Sequence, residues 1–423
     1  MLKMLFMRVV KKLFKKLPRT KVFRDPLYGY IEVDYDLISK LIDSKEVQRL
    51  RRIRQLSGVS MVFQTAEHSR FTHALGAYHM ANLVLRNVDG IECLNEYEQV
   101  VFLCAALLHD IGHGPYSHAF ENVLLTSHEE MTVKIILNKQ TNVNNILSEY
   151  NGLAEDIAGV ISHEGKYPLI ESFVSSQLDV DRMDYLSRDA YFTGATYGTI
   201  DMHRLLRSMK VVDNKVLCRA SGVHSIESYL MSRYHMYFQV YYHPVARSYE
   251  LLLESIYERI KDLVLQNVHI DATIDSFLNV IRNHNDIESY IELDDAYVNG
   301  FVKQMTKSND PVLNMLANCF NDRHLFEYLD LANEPNRNRL DRIKENAYNH
   351  KFGKYLYYEI AVSAVAYLQN SKKDLSADIN SIKVLLPNGD IKKLDEYSPI
   401  MHSLVSSSYK KVERIYFHGD LNE

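Results

Sequence analysis

The sequence predicts a mostly α-helical protein with a small N-terminal β element and a mixed α/β C-terminal region, and three observations carry that expectation. Helix breakers are few, with 16 Gly and 9 Pro in 423 residues, while Leu, Ile, Lys, Glu and Met are plentiful. Apolar residues recur every three or four positions over long stretches. Turn punctuation between short apolar runs falls near the two ends of the chain. An apolar content of 46% against 24% charge marks a globular chain able to bury a sizeable core.

Residues 1–20 form a basic amphipathic leader. Lys3, Arg8, Lys11, Lys12, Lys15, Lys16 and Arg19, with Lys21, meet no acid; without these eight, 41 bases face 54 acids and the remainder carries −13. Leu2, Phe6, Val9, Leu13 and Leu17 recur at helical spacing opposite the lysines. The segment could lie on an anionic membrane or nucleic acid, but the favoured reading is a plain tail or an alternative start, since Met4 and Met7 follow Met1. From Lys21 to Val33 a β-like stretch turns at Asp25-Pro26-Leu27-Tyr28-Gly29.

Helical patterns come next. Val47 to Leu56 sets Leu50, Ile53 and Leu56 on one face, Phe71 to Leu85 is periodic, and Val100 to Leu108 is apolar nearly all round, as a buried central helix is. Ser127 with Glu130 three residues on is a capping-box signal that puts His128 in a first helical turn. Ser176 to Asp189 and Ile226 to Tyr242 are expected to be helical. A boundary near residues 265–290 separates a core over 21–265 from a C-terminal α/β region over 266–423, assigned to packing and oligomerisation. Within Ile382 to Leu394, VLLPNGDIKKL predicts a hairpin turning at Asn388-Gly389.

Several function classes are disfavoured at once. Cys93, Cys104, Cys218 and Cys319 form no CxxC pair, which argues against a zinc knuckle or a disulfide framework and for a reducing cytoplasm. No apolar run approaches the roughly 20 residues that span a bilayer, and no secretory leader is evident, so a soluble protein is expected.

The chemistry concentrates in three places. LLHDIGHGPYSH puts His109 and Asp110 at the end of the buried helix and supplies His113 and His118 in a segment broken by Gly112, Gly114 and Pro115. A His-Asp pair arises by chance about once in such a composition, so the context matters. An ionised carboxylate at the end of a buried helix must be paired or metal-bound. Upstream, Arg70 and His73 open a second helix three positions apart; downstream, Asp179, Asp181 and Asp184 lie on a third. Two imidazoles and two carboxylates would form a mixed N/O shell suited to Mn, Mg, Fe, Ni, Co or Zn, with positions left open for water and a substrate oxygen.

The strings FRDPLYGYIEV, QRLRRIRQLSG, EHSRFTHALG, HDIGHGPYSHAFE and LDVDRMDYLSRDAYFTG resemble the HD-domain deoxynucleoside triphosphate triphosphohydrolases, over roughly residues 21–250. The resemblance implies an HD helical core with His73, His109, Asp110 and Asp181 as metal ligands and Asp184 outside the metal position. It implies that His118 and His128 lie beside the scissile bond, one of them a general acid, and that Asp110 belongs to the catalytic group. It places Arg70, His113, Arg182 and Tyr185 around the triphosphate. Asp189 and Arg233 would line the pocket, Tyr241 would pack near C2′ of the sugar, and Gln55 and Leu56 would lie near its 3′-OH. The reaction implied is attack by a metal-activated water on the α-phosphorus, releasing deoxynucleoside and intact triphosphate. A guanine nucleotide, GTP or dGTP, would bind at subunit contacts of a homotetramer through Lys21, Val22, Asp43, Gln48 and Arg51. The competing readings are an HD phosphohydrolase of another nucleotide or of nucleic acid ends, and a nucleotide-gated binding protein without turnover.

Overall fold

The computed structural model describes residues 13–332, 337–363, 382–406 and 411–422. Most of the leader, 1–12, lies outside them. Lys16–Thr20 already belong to strand β1 (Lys16–Asp25), which pairs antiparallel with β2 (Gly29–Tyr35), Phe23 opposite Ile31 and Asp25 opposite Gly29. The strand thus begins earlier than the expected Lys21, and the helical spacing of Leu13 and Leu17 is not used: Leu13 is exposed, and Phe14 is buried in its place. The predicted turn forms because Asp25 Oδ1 accepts the Leu27 and Tyr28 amides at 2.9 and 3.2 Å.

Helices dominate the chain beyond this hairpin. Asp36–Asp43 buries Leu37, Ile38, Leu41 and Ile42. The expected helix over 47–56 stops sooner: Lys45–Arg49 passes through a 3₁₀ turn at Leu50–Arg52 and goes extended at Ile53. Tertiary partners override local propensity there, since the Ile53 carbonyl accepts the Arg70 N–H at 2.9 Å and the Gln55 N–H donates to the His68 carbonyl at 3.0 Å. Arg70–Asn87 and Glu96–Leu108 pack against each other, the second started by a capping box between Asn95 and Glu98. His128–Leu137 begins where Ser127 marks it, but the Ser127 side chain makes no cap bond. Val180–Thr193 starts later than the expected Ser176 because Asp179 caps it. Val223–Met236 gives way to a π turn over Tyr237–Tyr241, and Pro244–Leu265 is the longest helix described.

Two small sheets complete the C-terminal half. Strands β3 (Met209–Val212) and β4 (Lys215–Arg219) form a hairpin, and β4 runs parallel to β7 (Lys383–Leu385), Cys218 opposite Val384. Strand β7 returns as β8 (Ile391–Lys393) through the expected turn, where Gly389 takes φ +92°. In the other sheet β9 (Lys411–Phe417) lies between β5 (Glu327–Asp330) and β6 (Tyr357–Ser363), antiparallel to both. One continuous cluster of buried apolar residues runs from Phe14 to Leu421, so both halves share a core. No helix among the described residues is long and apolar enough to cross a membrane.

Candidate active site

The site assembles where buried helices end or begin. Glu96–Leu108 is buried from Val100 onward and delivers His109 at its C-cap, with Asp110 next. Arg70–Asn87 carries Arg70 and His73 three positions apart on one side. Val180–Thr193 brings Asp181 in its first turn and Asp184 one turn on. His73 Nε2 lies 3.3 Å from His109 Nε2, 3.1 Å from Asp181 Oδ1 and 3.7 Å from Asp110 Oδ2. His109 Nε2 is 3.4 Å from Oδ1 of both Asp181 and Asp110.

The outer ring nitrogens set the tautomers. His73 Nδ1 donates to Asp184 Oδ2 at 2.8 Å, and His109 Nδ1 donates to the Ala106 carbonyl at 2.9 Å. Each ring therefore turns its Nε2 toward the same point. Imidazole lone pairs and carboxylates cannot satisfy one another without a proton or a cation between them. Burial opposes charge on His73, yet hydrogen bonds to Asp181 and Asp184 outweigh it and raise its pKa to about 10, so the surrounding carboxylates favour positive charge at this point. His73, His109 and Asp181 place one ligand atom each within 4.8 Å of one another, and the N/O donor set fits a divalent ion.

Asp110 also faces a second group. Arg70 Nη1 donates to Asp110 Oδ2 at 2.5 Å, and Arg70 Nε and Nη2 donate to Ser117 Oγ at 3.0 and 2.8 Å. His113 Nε2 is 3.3 Å from Asp110 Oδ1. His113 stacks on His128 with ring centroids 3.9 Å apart, and Glu121 Oε1 lies 3.2 Å from Nδ1 of each. Burial, Arg70 and His128 drop the His113 pKa to about 4. For His128, burial is outweighed by Glu121 and the pKa rises. Two stacked imidazoles pushed in opposite directions suit a neutral hydrogen-bonding group beside a proton donor. His118 opens the helix His118–Leu124; its side chain lies outside the described residues.

The remaining pocket candidates join this network. Arg182 is held by the Asp179 carboxylate and the Ser176 carbonyl. Arg233 donates to Gln177 Oε1 at 2.5 Å and lies over the Tyr237 ring. The Tyr185 hydroxyl meets that of Tyr237 at 3.4 Å, and its ring packs edge-on to His73 and Tyr241. Tyr241 donates to Asp189 Oδ2 at 2.7 Å, and His68 Nε2 meets Asp189 Oδ1 at 2.7 Å. The His68 carbonyl holds the Gln55 amide, so Gln55 and Leu56 sit at the edge of the same network.

A separate surface gathers the other candidates. Lys21 Nζ pairs with Asp43 Oδ2 at 2.9 Å, Gln48 Nε2 donates to the Ile42 carbonyl at 2.7 Å, and Arg51 Nε donates to Gln48 Oε1 at 2.8 Å. Val22 is exposed beside them. The Arg51 guanidinium lies 3.6 Å from the centre of the Phe71 ring, one residue from Arg70.

Sequence reasoning set Asp184 aside, yet it backs the His73 ring. It also accepts the Tyr28 hydroxyl at 2.8 Å and two Arg188 N–H bonds at 2.9 Å each, while Arg188 Nη1 donates to Asp25 at 2.8 Å. Burial opposes its charge, but Arg188 and the His73 bond hold its pKa at about 2. Gly76 makes room for it: a Cβ there would stand 1.8 Å from Asp184 Oδ1. The available signal was the i, i+4 spacing of Asp184 and Arg188 on a helix. Glu121 was missed in the same way, in the string HAFE.

The HD domain family matches residues 70–189, and the HD associated region matches residues 200–416. The chain is 38% identical over 418 residues to the uncharacterized protein YwfO of Bacillus subtilis, covering 96% of this chain and 94% of that protein. It is 29% identical over 337 residues to the deoxynucleoside triphosphate triphosphohydrolase SAMHD1 homolog of Dictyostelium discoideum, covering 74% of this chain and 60% of that one. The crystal structure of a phosphohydrolase from Bacteroides thetaiotaomicron is similar with a TM-score of 0.80 at 29% identity, over 94% of this chain and 99% of that one. The paired histidines and carboxylates lie inside the HD match, residues 200–416 carry the associated region, and on these grounds the protein belongs to the HD-domain phosphohydrolase family.

Proposed function

We propose that the protein is a metal-dependent deoxynucleoside triphosphate triphosphohydrolase, cleaving a dNTP to deoxynucleoside and inorganic triphosphate, with GTP or dGTP as activator. The observation that carries this reading is the meeting, at one buried carboxylate, of a metal-type cluster, an anchored arginine and two histidines of opposed basicity. The likeness to the Dictyostelium triphosphohydrolase supports the substrate class.

His73, His109, Asp110 and Asp181 would hold a divalent ion, Mn, Mg, Fe, Ni, Co or Zn, which supplies an acidified water and neutralises charge at phosphorus. Arg70 needs no ordering, because Asp110 and Ser117 already fix its plane, and it would offer its charge to nonbridging phosphate oxygens. Arg182, His113 and Tyr185 receive the triphosphate tail with Arg70, and Arg233 and Asp189 line the pocket. Water adds to the α-phosphorus, the bond to the 5′-oxygen breaks, and that oxygen takes a proton from His128, which Glu121 keeps basic; His118 is the alternative donor. Tyr241, fixed by Asp189, packs against the sugar at C2′, and Gln55 and Leu56 contact its 3′-OH. Burial keeps the Tyr241 hydroxyl neutral.

Asp43 and Gln48 offer an acceptor and an amide to a guanine edge, with Lys21 and Arg51 for its phosphates and Val22 beside them. This site lies at subunit contacts of a homotetramer, in which residues 266–423 contribute packing and the basic leader can touch anionic surfaces. Free cysteines throughout the described residues suit a reducing cytoplasm.

Anion-exchange product analysis with Mn²⁺ or Mg²⁺ and each dNTP, with and without GTP or dGTP, tests the reading. Unbroken triphosphate plus deoxynucleoside is expected, with a guanine nucleotide raising the rate. Stepwise phosphate release would move the function to another nucleotide or to nucleic acid ends, and no turnover would favour a binding protein.

A further inference from the structure

Three non-glycine residues with left-handed backbone lie together beside the site. Tyr116 and Ser117 have φ +54° and +45°, and Ser57, whose hydroxyl donates to the Tyr116 carbonyl at 3.0 Å, has φ +23°. Such conformations persist only where surroundings over-determine them. Here the over-determining group comes from the HD-associated region. Asp295, the first residue of the helix Asp295–Met305, is buried, and its two oxygens are divided between a segment inside the HD domain and one that precedes it: Oδ1 accepts the Tyr116 N–H and Oδ2 the Arg54 N–H, each at 2.9 Å. One turn further, Asn299 Oδ1 accepts the Tyr116 hydroxyl at 2.6 Å. The same residue is therefore gripped at its backbone and at the end of its side chain. Asp294 adds an ion pair to Arg52 and caps the helix by accepting the Tyr297 N–H at 2.9 Å.

We propose that Asp295, assisted by Asn299, is a positioning clamp through which the HD-associated region fixes the Gly114–Ser117 loop and the Ile53–Ser57 segment. The consequence for chemistry runs through Ser117 and Gln55. Ser117 Oγ accepts two Arg70 N–H groups, and Arg70 in turn holds Asp110; His118 is next in the chain. Gln55 directly succeeds Arg54. Asp295 touches none of the proposed metal ligands, so its influence falls on Arg70, on His118 and on the sugar end of the pocket; Asp110 alone among the ligands is reached, through Arg70, while His73 and His109 keep their own supports, Asp184 and the Ala106 carbonyl. For turnover, this inference rests on the proposed dNTP activity; for the clamp itself it does not.

Asp295→Asn preserves shape, but an amide presents a single acceptor and turns an NH₂ toward the second backbone N–H. In the purified full-length protein, hydrogen exchange over residues 53–58 and 112–118 is expected to rise at least about tenfold, with residues 96–108 unchanged. kcat for dNTP hydrolysis is expected to fall roughly tenfold or more, with KM and Mn²⁺ affinity within about threefold of the parent. Tyr116→Phe, which removes the hydroxyl's bonds to Asn299 and Tyr249 and leaves the Asp295 bond to its N–H, should move exchange in the same direction by less, and it carries the test if Asp295→Asn does not fold. Exchange that stays at the parental rate, or Mn²⁺ affinity that falls in step with kcat, overturns the clamp. If the parent protein hydrolyses no dNTP, the proposed activity fails and the exchange measurement still decides the clamp.

Discussion

Asp184→Asn is the most informative single perturbation of the proposed metal centre, because it separates orientation of a ligand from ligation. Asp184 fixes the His73 ring through a 2.8 Å bond to Nδ1 and is itself fixed by two Arg188 N–H groups and the Tyr28 hydroxyl. An asparagine can present its NH₂ to Nδ1, which would then accept and leave the proton on Nε2, facing the ion. Loss of such an outer partner typically costs 10- to 100-fold in metal affinity, about 1.4–2.7 kcal/mol. Folding should suffer as well, toward the low end of the roughly 3–5 kcal/mol for breaking a buried pair, since Arg188 keeps Asp25. Asp25→Asn is the control: it removes the other Arg188 partner and leaves the His73–Asp184 bond in place. Calorimetric Mn²⁺ titration alongside thermal unfolding in chelator reads both quantities. Weaker Mn²⁺ binding in Asp184→Asn and near-parental binding in Asp25→Asn, with both variants less stable, is the expected pattern. Mn²⁺ affinity in Asp184→Asn within about threefold of the parent would refute the tautomer argument.

Two further outcomes are expected. Arg51→Ala removes a proposed phosphate contact of the activator and its stacking on Phe71, so the GTP or dGTP concentration for half-activation should rise at least about tenfold, read from initial rates across an activator series; an unchanged activation curve would remove Arg51 from that site. Asp295 makes a pH prediction of definite sign. Burial, opposed by the Arg54 and Tyr116 amides, raises its pKa from 3.8 to about 6, so the folded chain binds this proton more tightly than the unfolded one. Its contribution is fully present below pH 3.8 and lost as the pH rises through 6, by up to about 3 kcal/mol. The stability of Asp295→Asn relative to the parent should therefore improve between pH 4.5 and about 7.5, as measured by denaturant unfolding in chelator; parallel pH curves would show that the carboxyl is not so perturbed.

How far sequence reading reached depends on the range of the forces involved. The turn at Asp25 and the hairpin at Asn388-Gly389 are written in residues that bond to their own neighbours, and the buried helix ending in His-Asp is written in nine successive apolar or small positions, so each could be anticipated without knowing what surrounds it. The segment from Val47 to Leu56 could not, because helical periodicity continues past Arg52 while the backbone bonds of Ile53, Arg54 and Gln55 are taken by Arg70, Asp295 and His68. Ser127 failed differently: its spacing to Glu130 announced a helix that is present, through a cap bond that is not made. Asp184 and Asp295 were hidden for one reason. A buried carboxylate declares its function through partners, and the partners of these two lie 111 residues away at His73 and 179 residues away at Tyr116. Residues that hold a site are therefore harder to anticipate than residues that would bind its ligand. A ligand set obeys the chemistry of the ion and recurs as a motif, whereas a support obeys only the local geometry of one fold. Asp295 adds a thermodynamic mark that composition cannot show: at neutral pH its burial costs stability, and a charge retained at a cost is better explained by the loop it fixes than by the fold it weakens.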